Sequence, residues 1–177
     1  MVISSFFSKA NPIHFVIVSF IMLLVFVMAK FYNLNEPFSL SVFFKLTALF
    51  LIAMISVFLL DFLSNRNKLT KNNSYKILIF SLFIALLPET FLNSRILMAN
   101  LFVLLALRRI ISLRSNIEII KKLFDAAFWL SIATLFYFWS VLFFILIVLG
   151  IILYRIVNIK NWIIPVVGIL TVAIIWS

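Results

Sequence analysis

Apolar runs about as long as a membrane is thick are the feature that most limits what this chain can fold into. A helix that crosses the hydrocarbon core needs about 20 apolar residues, and such runs recur from Ile13 onward. Hydrophobic residues make up 66% of the chain and charged residues 11%, less than half of the roughly 25% found in soluble domains. Because a soluble domain of this size leaves about 30% of its unfolded surface exposed, so much apolar surface cannot be hidden from water. The sequence therefore predicts an all-α integral membrane protein.

Seven segments are predicted to cross the membrane as a polytopic transmembrane helical bundle, which forms a single integral domain over residues 1–177. Several of these segments are short for a span. Residues 1–12 are too few to span and are interpreted as an interfacial N-terminal segment. The predicted spans lie near 13–29, 39–63, 75–88, 96–111, 122–137, 139–155 and 162–177.

The run from Leu123 to Tyr154 leaves two interpretations open. One continuous helix would extend about 48 Å against a hydrocarbon core of about 30 Å, and the bundle would then have six spans. A hairpin that turns near residues 137–140 gives seven spans, although no glycine or proline marks a turn there. Lysine and arginine collect on the cytoplasmic side. With a cytoplasmic N-terminus, seven spans place 12 of the 15 cations inside and six spans place 10, which favours the hairpin.

Two acidic residues, Glu36 and Glu89, are the only ones that this topology places outside, and each adjoins a proline. Paired carboxyl groups act as acid and base when they lie within roughly 10 Å of each other. Together with Arg95, these two residues are the catalytic candidates. The alternative is that they are solvated loop charges.

Five cations, from the end of the fourth predicted span to the beginning of the fifth, are candidates for contact with anionic lipid headgroups on the cytoplasmic side, at about 1 kcal/mol per charge. The isoleucines and leucines interleaved with them predict an amphipathic helix on the membrane surface. The simpler interpretation is a determinant of topology without a specific ligand. Nucleic acid is not expected as a partner, because these charges are needed at the bilayer. The five cations are Arg108, Arg109, Arg114, Lys121 and Lys122.

Several chemistries are excluded by what the chain lacks. It contains no cysteine, which excludes disulfides, thiolate zinc sites and a cysteine nucleophile. His14 is the only histidine, so it cannot form a histidine metal site by itself and is interpreted as an interfacial residue. Two glycines are too few for the known phosphate-binding loops. Neither a metal nor a cofactor is expected.

Helix packing in lipid depends on small residues and on polar contacts between helices. Two small-residue pairs occur at four-residue spacing, Ser81 with Ala85 and Ala127 with Ser131. Asp61, near the end of the second span, is expected to form a structural ion pair with one of three arginines, Arg66, Arg108 or Arg109.

Three blocks of sequence resemble an uncharacterised multi-pass inner-membrane protein family of flavobacteria and other Bacteroidota. They are Met1–Phe15 (MVISSFFSKANPIHF), Asn100–Leu113 (NLFVLLALRRIISL) and Lys122–Arg155. The resemblance implies a location in the bacterial inner membrane. It also implies that the chain is either an N-terminal part of a longer protein or a short member. Because the family has no established activity, the resemblance implies no catalytic residues.

Three functions are compatible with these features. The first is a scaffold or component of a cell-envelope system, with other membrane proteins as partners. The second is a lipid-linked-sugar glycosyltransferase or another lipid-handling enzyme with a site that faces the periplasm. It rests on a topology-level likeness to membrane glycosyltransferases that use polyprenyl-phosphate sugars, with Glu36 or Glu89 as a periplasmic acid. The first outer loop, Lys30–Phe38, is too short for the large catalytic loop of those enzymes. The third is a transporter, because Pro165 and Gly168 are expected to interrupt the last span.

Overall fold

The described residues fold entirely into helices, turns and short connections, as expected for an all-α protein. A computed structural model describes residues 11–32, 39–70, 73–87, 90, 93–156 and 158–177. Within these ranges there are two 3₁₀ helices, Leu113–Ser115 and Phe138–Phe143, and seven α-helices. The α-helices are α1 (Pro12–Tyr32), α2 (Leu40–Arg66), α3 (Tyr75–Leu86), α4 (Ser94–Ser112), α5 (Ile119–Phe136), α6 (Phe144–Leu153) and α7 (Lys160–Trp176).

Six of the predicted spans each overlap one α-helix, and the span predicted near 139–155 overlaps the 3₁₀ helix Phe138–Phe143 together with α6. Two helical stretches are long and apolar enough to cross a membrane, Leu40–Arg66 with 27 residues and Ser94–Ser115 with 22 residues. Shorter apolar helices cover Ile13–Met28, Phe138–Leu153 and Lys160–Trp176. The all-helical fold is therefore confirmed for the described residues, and the seven-span arrangement stays a prediction.

Two compact units divide the chain between Leu97 and Met98. In the first unit, aromatic side chains join α1 to α2. Phe15 stacks on Phe58 with ring centroids 5.1 Å apart, and Phe26 lies 5.6 Å from Phe50. Because the residue numbers rise along α1 as they fall along α2, the two helices are antiparallel. The buried core of this unit consists of Val18, Met22, Phe26, Leu49, Ala53, Val57, Ile77 and Leu97.

The second unit contains a parallel pair of helices, α5 and α7, in direct backbone contact. A Cβ atom built on Gly168 would lie 2.8 Å from Ala127 Cβ and 3.1 Å from the Phe124 carbonyl oxygen. One turn further along both helices, Val172 and Ser131 line the same cleft. Ala127 and Ser131 are both buried, so this predicted small-residue pair is confirmed as a packing surface.

The chain turns back after α5, as the hairpin interpretation predicts, and one continuous helix over 123–154 is wrong. Tyr137 is extended (φ −146°, ψ 107°) and ends α5. At the far end of α6, Gly150 lies against Ile110 and Leu113, near the end of α4 and the beginning of α5. The chain therefore runs back alongside α5.

The expectation of a regular helix over residues 139–155 needs one correction. Phe138–Phe143 form a 3₁₀ helix, which begins as the Ser140 amide bonds to the Tyr137 carbonyl. With a rise of about 2 Å per residue in this part and 1.5 Å in α6, the whole segment extends about 27 Å. The 3₁₀ start therefore gives a short segment nearly the length of a span.

The last helix is continuous, so the expected interruption at Pro165 and Gly168 is wrong. α7 runs from Lys160 to Trp176 with Pro165 inside it. A proline removes one helical hydrogen bond, but membrane helices tolerate this when other groups satisfy the backbone. Gly168 is a packing position rather than a break, because it faces Ala127.

Candidate functional site

The cations of the second unit gather at one end, which we call the basic end. α4 and α6 end here, and α5 and α7 begin here, as the contacts of Gly150 and Gly168 require. The opposite end carries Tyr137, Trp139 and Trp176 and no lysine or arginine. Glu118 and Asp125 are the acids of the basic end. The cations of the unit are Arg108, Arg109, Arg114, Lys121, Lys122, Arg155 and Lys160.

Two of the predicted headgroup ligands also hold the basic end together. Lys122 Nζ donates to the Ser112 carbonyl oxygen at 2.8 Å and to Ser115 Oγ at 2.6 Å. The Ser112 carbonyl lies at the end of α4, where intrahelical donors run out, and it accepts from Lys122 Nζ and from Ser115 Oγ. Arg109 Nη2 lies 2.9 Å from Asp125 Oδ2 and thereby joins α4 to α5.

The predicted amphipathic surface helix over the basic connection is wrong. The chain forms the short 3₁₀ helix Leu113–Ser115 and then a turn in which Asn116 (φ 52°) and Glu118 (φ 51°) are left-handed. L-residues rarely adopt this conformation, and it breaks the helix between α4 and α5. Ile110 and Leu113 are buried in the core of the unit, so they are not available to a membrane surface.

The other three predicted headgroup ligands are accessible. Arg108 and Arg114 are exposed, and the Lys121 side chain is 64% exposed, with its Nζ 3.8 Å from Glu118 Oε2. An exposed pair at this distance contributes about 0–1 kcal/mol. Their positions therefore suit contact with a ligand outside the protein.

A groove opens between the beginnings of α5 and α7 at the basic end. Its mouth carries the one acid and one cation of the lining, and its walls are apolar. The groove ends where Gly168 brings the two helices into contact. It is lined by Glu118, Ile120, Lys121, Phe124, Ile164 and Val167.

The first unit has a different polar cluster, in which Asp61, Asn65 and Lys76 bind one another. Lys76 Nζ lies 3.3 Å from Asp61 Oδ1 and also donates to Asn65 Oδ1. Asn65 Nδ2 donates to Asp61 Oδ2 at 2.9 Å. The Lys76 and Asp61 side chains are only 9% and 13% exposed. The cluster joins the end of α2 to the beginning of α3.

The expectation that Asp61 pairs with an arginine is therefore wrong. Its partner Lys76 lies beyond the loop that follows α2, and only the packing of α3 against α2 brings the two together. Arg66 instead lies over the Phe62 ring, 5.6 Å from the centroid. The sequence signal for this pair was Lys76 itself, because a lysine in the first turn of the next helix can reach the end of the preceding one.

His14 is buried inside the first unit at the beginning of α1, and its predicted position at the membrane interface stays a prediction. Its Nδ1 lies 2.7 Å from Ser74 Oγ, and its exposed fraction is 0%. This bond joins the beginning of α1 to the residue before α3. The bond therefore places the beginnings of α1 and α3 next to each other.

The catalytic candidates Glu36 and Glu89 lie outside the described residues. Arg95 is exposed in the first turn of α4, where its backbone N–H donates to Asn93 Oδ1 at 3.1 Å. Acid–base catalysis by these three residues stays a prediction. Within the described ranges, no group of three His, Cys, Asp or Glu residues is placed to hold a metal.

No protein-family model, curated protein or solved structure matches the chain. The resemblance to the inner-membrane family of Bacteroidota therefore stays a prediction.

Proposed function

We propose that this chain is a multi-pass integral protein of the bacterial inner membrane and acts as a scaffold or component of a cell-envelope system. It has seven spans and a cytoplasmic N-terminus. The observation that carries the proposal is the basic end, because every lysine and arginine of residues 98–177 lies there. Lysine and arginine accumulate on the cytoplasmic side of membrane proteins, so the basic end is cytoplasmic and the aromatic end is periplasmic.

The parallel direction of α5 and α7 supports seven spans over six. Two consecutive spans must run in opposite directions, so two parallel helices need a third that returns between them. The segment Phe138–Leu153 occupies this position, and its length of about 27 Å is close to the roughly 30 Å of a hydrocarbon core.

The outer face of α7 also supports a lipid environment. Ile163, Val166, Leu170 and Ile174 follow one another at helical spacing and are between 51% and 73% exposed. Soluble monomers rarely expose a contiguous apolar surface of this kind, whereas lipid tails solvate it.

The ion pairs of the two units support a structural role. Asp61 binds Lys76, and Arg109 binds Asp125, so these charges connect helices within each unit. Arg108, Arg114 and Lys121 have exposed side chains at the basic end, where each would contribute about 1 kcal/mol to contact with anionic headgroups. We expect this arrangement to hold the protein at a fixed depth while its lipid-facing helices contact partner proteins.

Single cysteines test the topology, since the chain has none of its own. We expect Phe138→Cys and Ser177→Cys to react with a membrane-impermeant maleimide in intact spheroplasts. Ile117→Cys, in the exposed turn at the basic end, is the control and should react only after permeabilisation. Labelling of Ser177→Cys only after permeabilisation, with none at Phe138→Cys, would indicate six spans.

Purification after crosslinking in cells tests the scaffold role separately. We expect a membrane protein of the envelope to copurify with the chain at a constant ratio in a mild detergent. A product that contains this chain alone would contradict the scaffold role and leave the topology unaffected.

A further inference from the structure

We infer that the groove between the beginnings of α5 and α7 binds one phosphatidylethanolamine molecule. The inference rests on the proposed function, because it requires the basic end to lie at the level of the lipid headgroups. It goes further by assigning a single lipid class to a defined site.

The two charges at the mouth of the groove match the two charges of this headgroup. Glu118 and Lys121 both line the groove, their side chains are 62% and 64% exposed, and their charged atoms are 3.8 Å apart. A pair this loose and exposed contributes little by itself. Lys121 can donate to the lipid phosphate while Glu118 accepts from the ammonium, so the headgroup satisfies both side chains.

The same pair disfavours the other common headgroups. An anionic phosphatidylglycerol brings a phosphate next to Glu118 without a compensating ammonium. Phosphatidylcholine carries a quaternary ammonium, which has no N–H to donate to the carboxylate. Charge-assisted hydrogen bonds are the stronger class of hydrogen bond, so their loss should be measurable.

The walls of the groove match an acyl chain. Ile120 and Phe124 on α5 face Ile164 and Val167 on α7. Directly after Val167, Gly168 brings the helices into backbone contact, so the groove ends there and stays open along its side and toward the basic end. This shape places a headgroup at the mouth and a hydrocarbon chain between the helices.

One further cation lies near the mouth. Lys160 precedes Ile164 by one turn, and residues four apart share a helix face. Lys160 therefore adds to the positive charge of the basic end. Asp125, the second acid of the basic end, is already paired with Arg109.

Native mass spectrometry of the full chain in a mild detergent tests the inference. The protein is titrated separately with phosphatidylethanolamine, phosphatidylcholine and phosphatidylglycerol of identical acyl chains. We expect phosphatidylethanolamine to bind most tightly. Equal affinities, or tightest binding of phosphatidylglycerol, would overturn the inference.

Two charge variants then assign the headgroup contacts. Lys121→Gln should weaken all three lipids about fivefold, since one cation near a lipid surface contributes on that order. Glu118→Gln should remove the preference for phosphatidylethanolamine over phosphatidylcholine. Arg155→Gln, which removes an exposed cation outside the groove, is the matched control and should leave the affinities unchanged. An unchanged preference in Glu118→Gln would contradict the assignment.

A variant of the wall tests the acyl chain without altering charge. Val167→Trp should fill the groove and weaken the three lipids equally, while the ratios between them persist. The cysteine-labelling pattern of each variant shows whether the topology is intact. If the parent chain shows no preference among the three lipids but has the expected cysteine-labelling pattern, only the lipid site is rejected. If its labelling pattern differs from the expected one, the proposed function is rejected.

Discussion

The two units solve the same packing problem with different groups. In the membrane location that we propose, lipid removes the hydrophobic drive for helices to associate, so close packing and polar contacts must replace it. Aromatic side chains stack between helices in both units, as Phe15 does on Phe58 and Phe102 on Trp129. The first unit has no glycine and adds a nearly buried ion pair, Asp61–Lys76. The second unit uses backbone contact at Gly168 and keeps most of its charges at the surface.

This difference predicts where each unit is sensitive to mutation. In the first unit, polar contacts are concentrated at one end, where His14 binds Ser74 and Lys76 binds Asp61. In the second, contact between α5 and α7 extends along both helices, from Ile164 to Trp176. We therefore expect the loss of one charge to lower stability most in the first unit. An added methyl group should lower stability most in the second.

The largest effect is expected for Lys76→Met, which leaves Asp61 as a nearly buried charge with Asn65 as its remaining partner. Breaking such a pair costs about 3 kcal/mol of unfolding free energy, measurable by thermal or denaturant unfolding in detergent. Lys68→Met, an exposed lysine of the same unit, is the control. The double variant Asp61→Leu with Lys76→Met should recover more than half of the loss. Equal effects of Lys76→Met and Lys68→Met would show that the ion pair does not hold this unit together.

Gly168→Ala is the next largest prediction. The new Cβ would lie 2.8 Å from Ala127 Cβ and 3.1 Å from the Phe124 carbonyl oxygen, so the backbones must separate at a cost of about 2 kcal/mol. Gly150→Ala is the matched control, because its Cβ meets side-chain methyl groups and no backbone atom: Ile110 Cγ2 at 3.0 Å and Leu113 Cδ1 at 3.4 Å. In Gly150→Ala, the higher helix propensity of alanine offsets part of the cost of moving these side chains. Similar melting temperatures for the two variants would contradict the backbone contact.

The smallest effect is expected for Lys122→Met, which removes the bond to the Ser112 carbonyl at the end of α4. The loss is about 1 kcal/mol and is confined to the turn. Hydrogen exchange should therefore increase at residues 112–116, with little change in the core. Lys121→Met serves as the neighbouring control, since its pair with Glu118 is exposed. Faster exchange in Lys121→Met than in Lys122→Met would contradict the role of Lys122 at the end of α4.

Long apolar runs made the helices predictable, and charge placement made the turn at Tyr137 predictable. A helix continuing through Tyr137 would exceed the thickness of the membrane, and the structure has the turn there. The 3₁₀ geometry of Phe138–Phe143 was not predictable, because these aromatic and aliphatic residues are equally compatible with an α-helix. The catalytic candidates Glu36 and Glu89 lie outside the described residues, so that hypothesis stays a prediction.

The sequence by itself determined the helical class, the positions of the helices and the lysines and arginines at their ends, because these follow from local hydrophobicity and charge. Only the tertiary structure decided that Asp61 binds Lys76, that His14 is buried against Ser74 and that Gly168 lies on Ala127. Such contacts join residues 15 to 60 positions apart. They depend on which helix faces pack together, and a chain apolar on nearly every face leaves that choice to the shapes of the assembled helices.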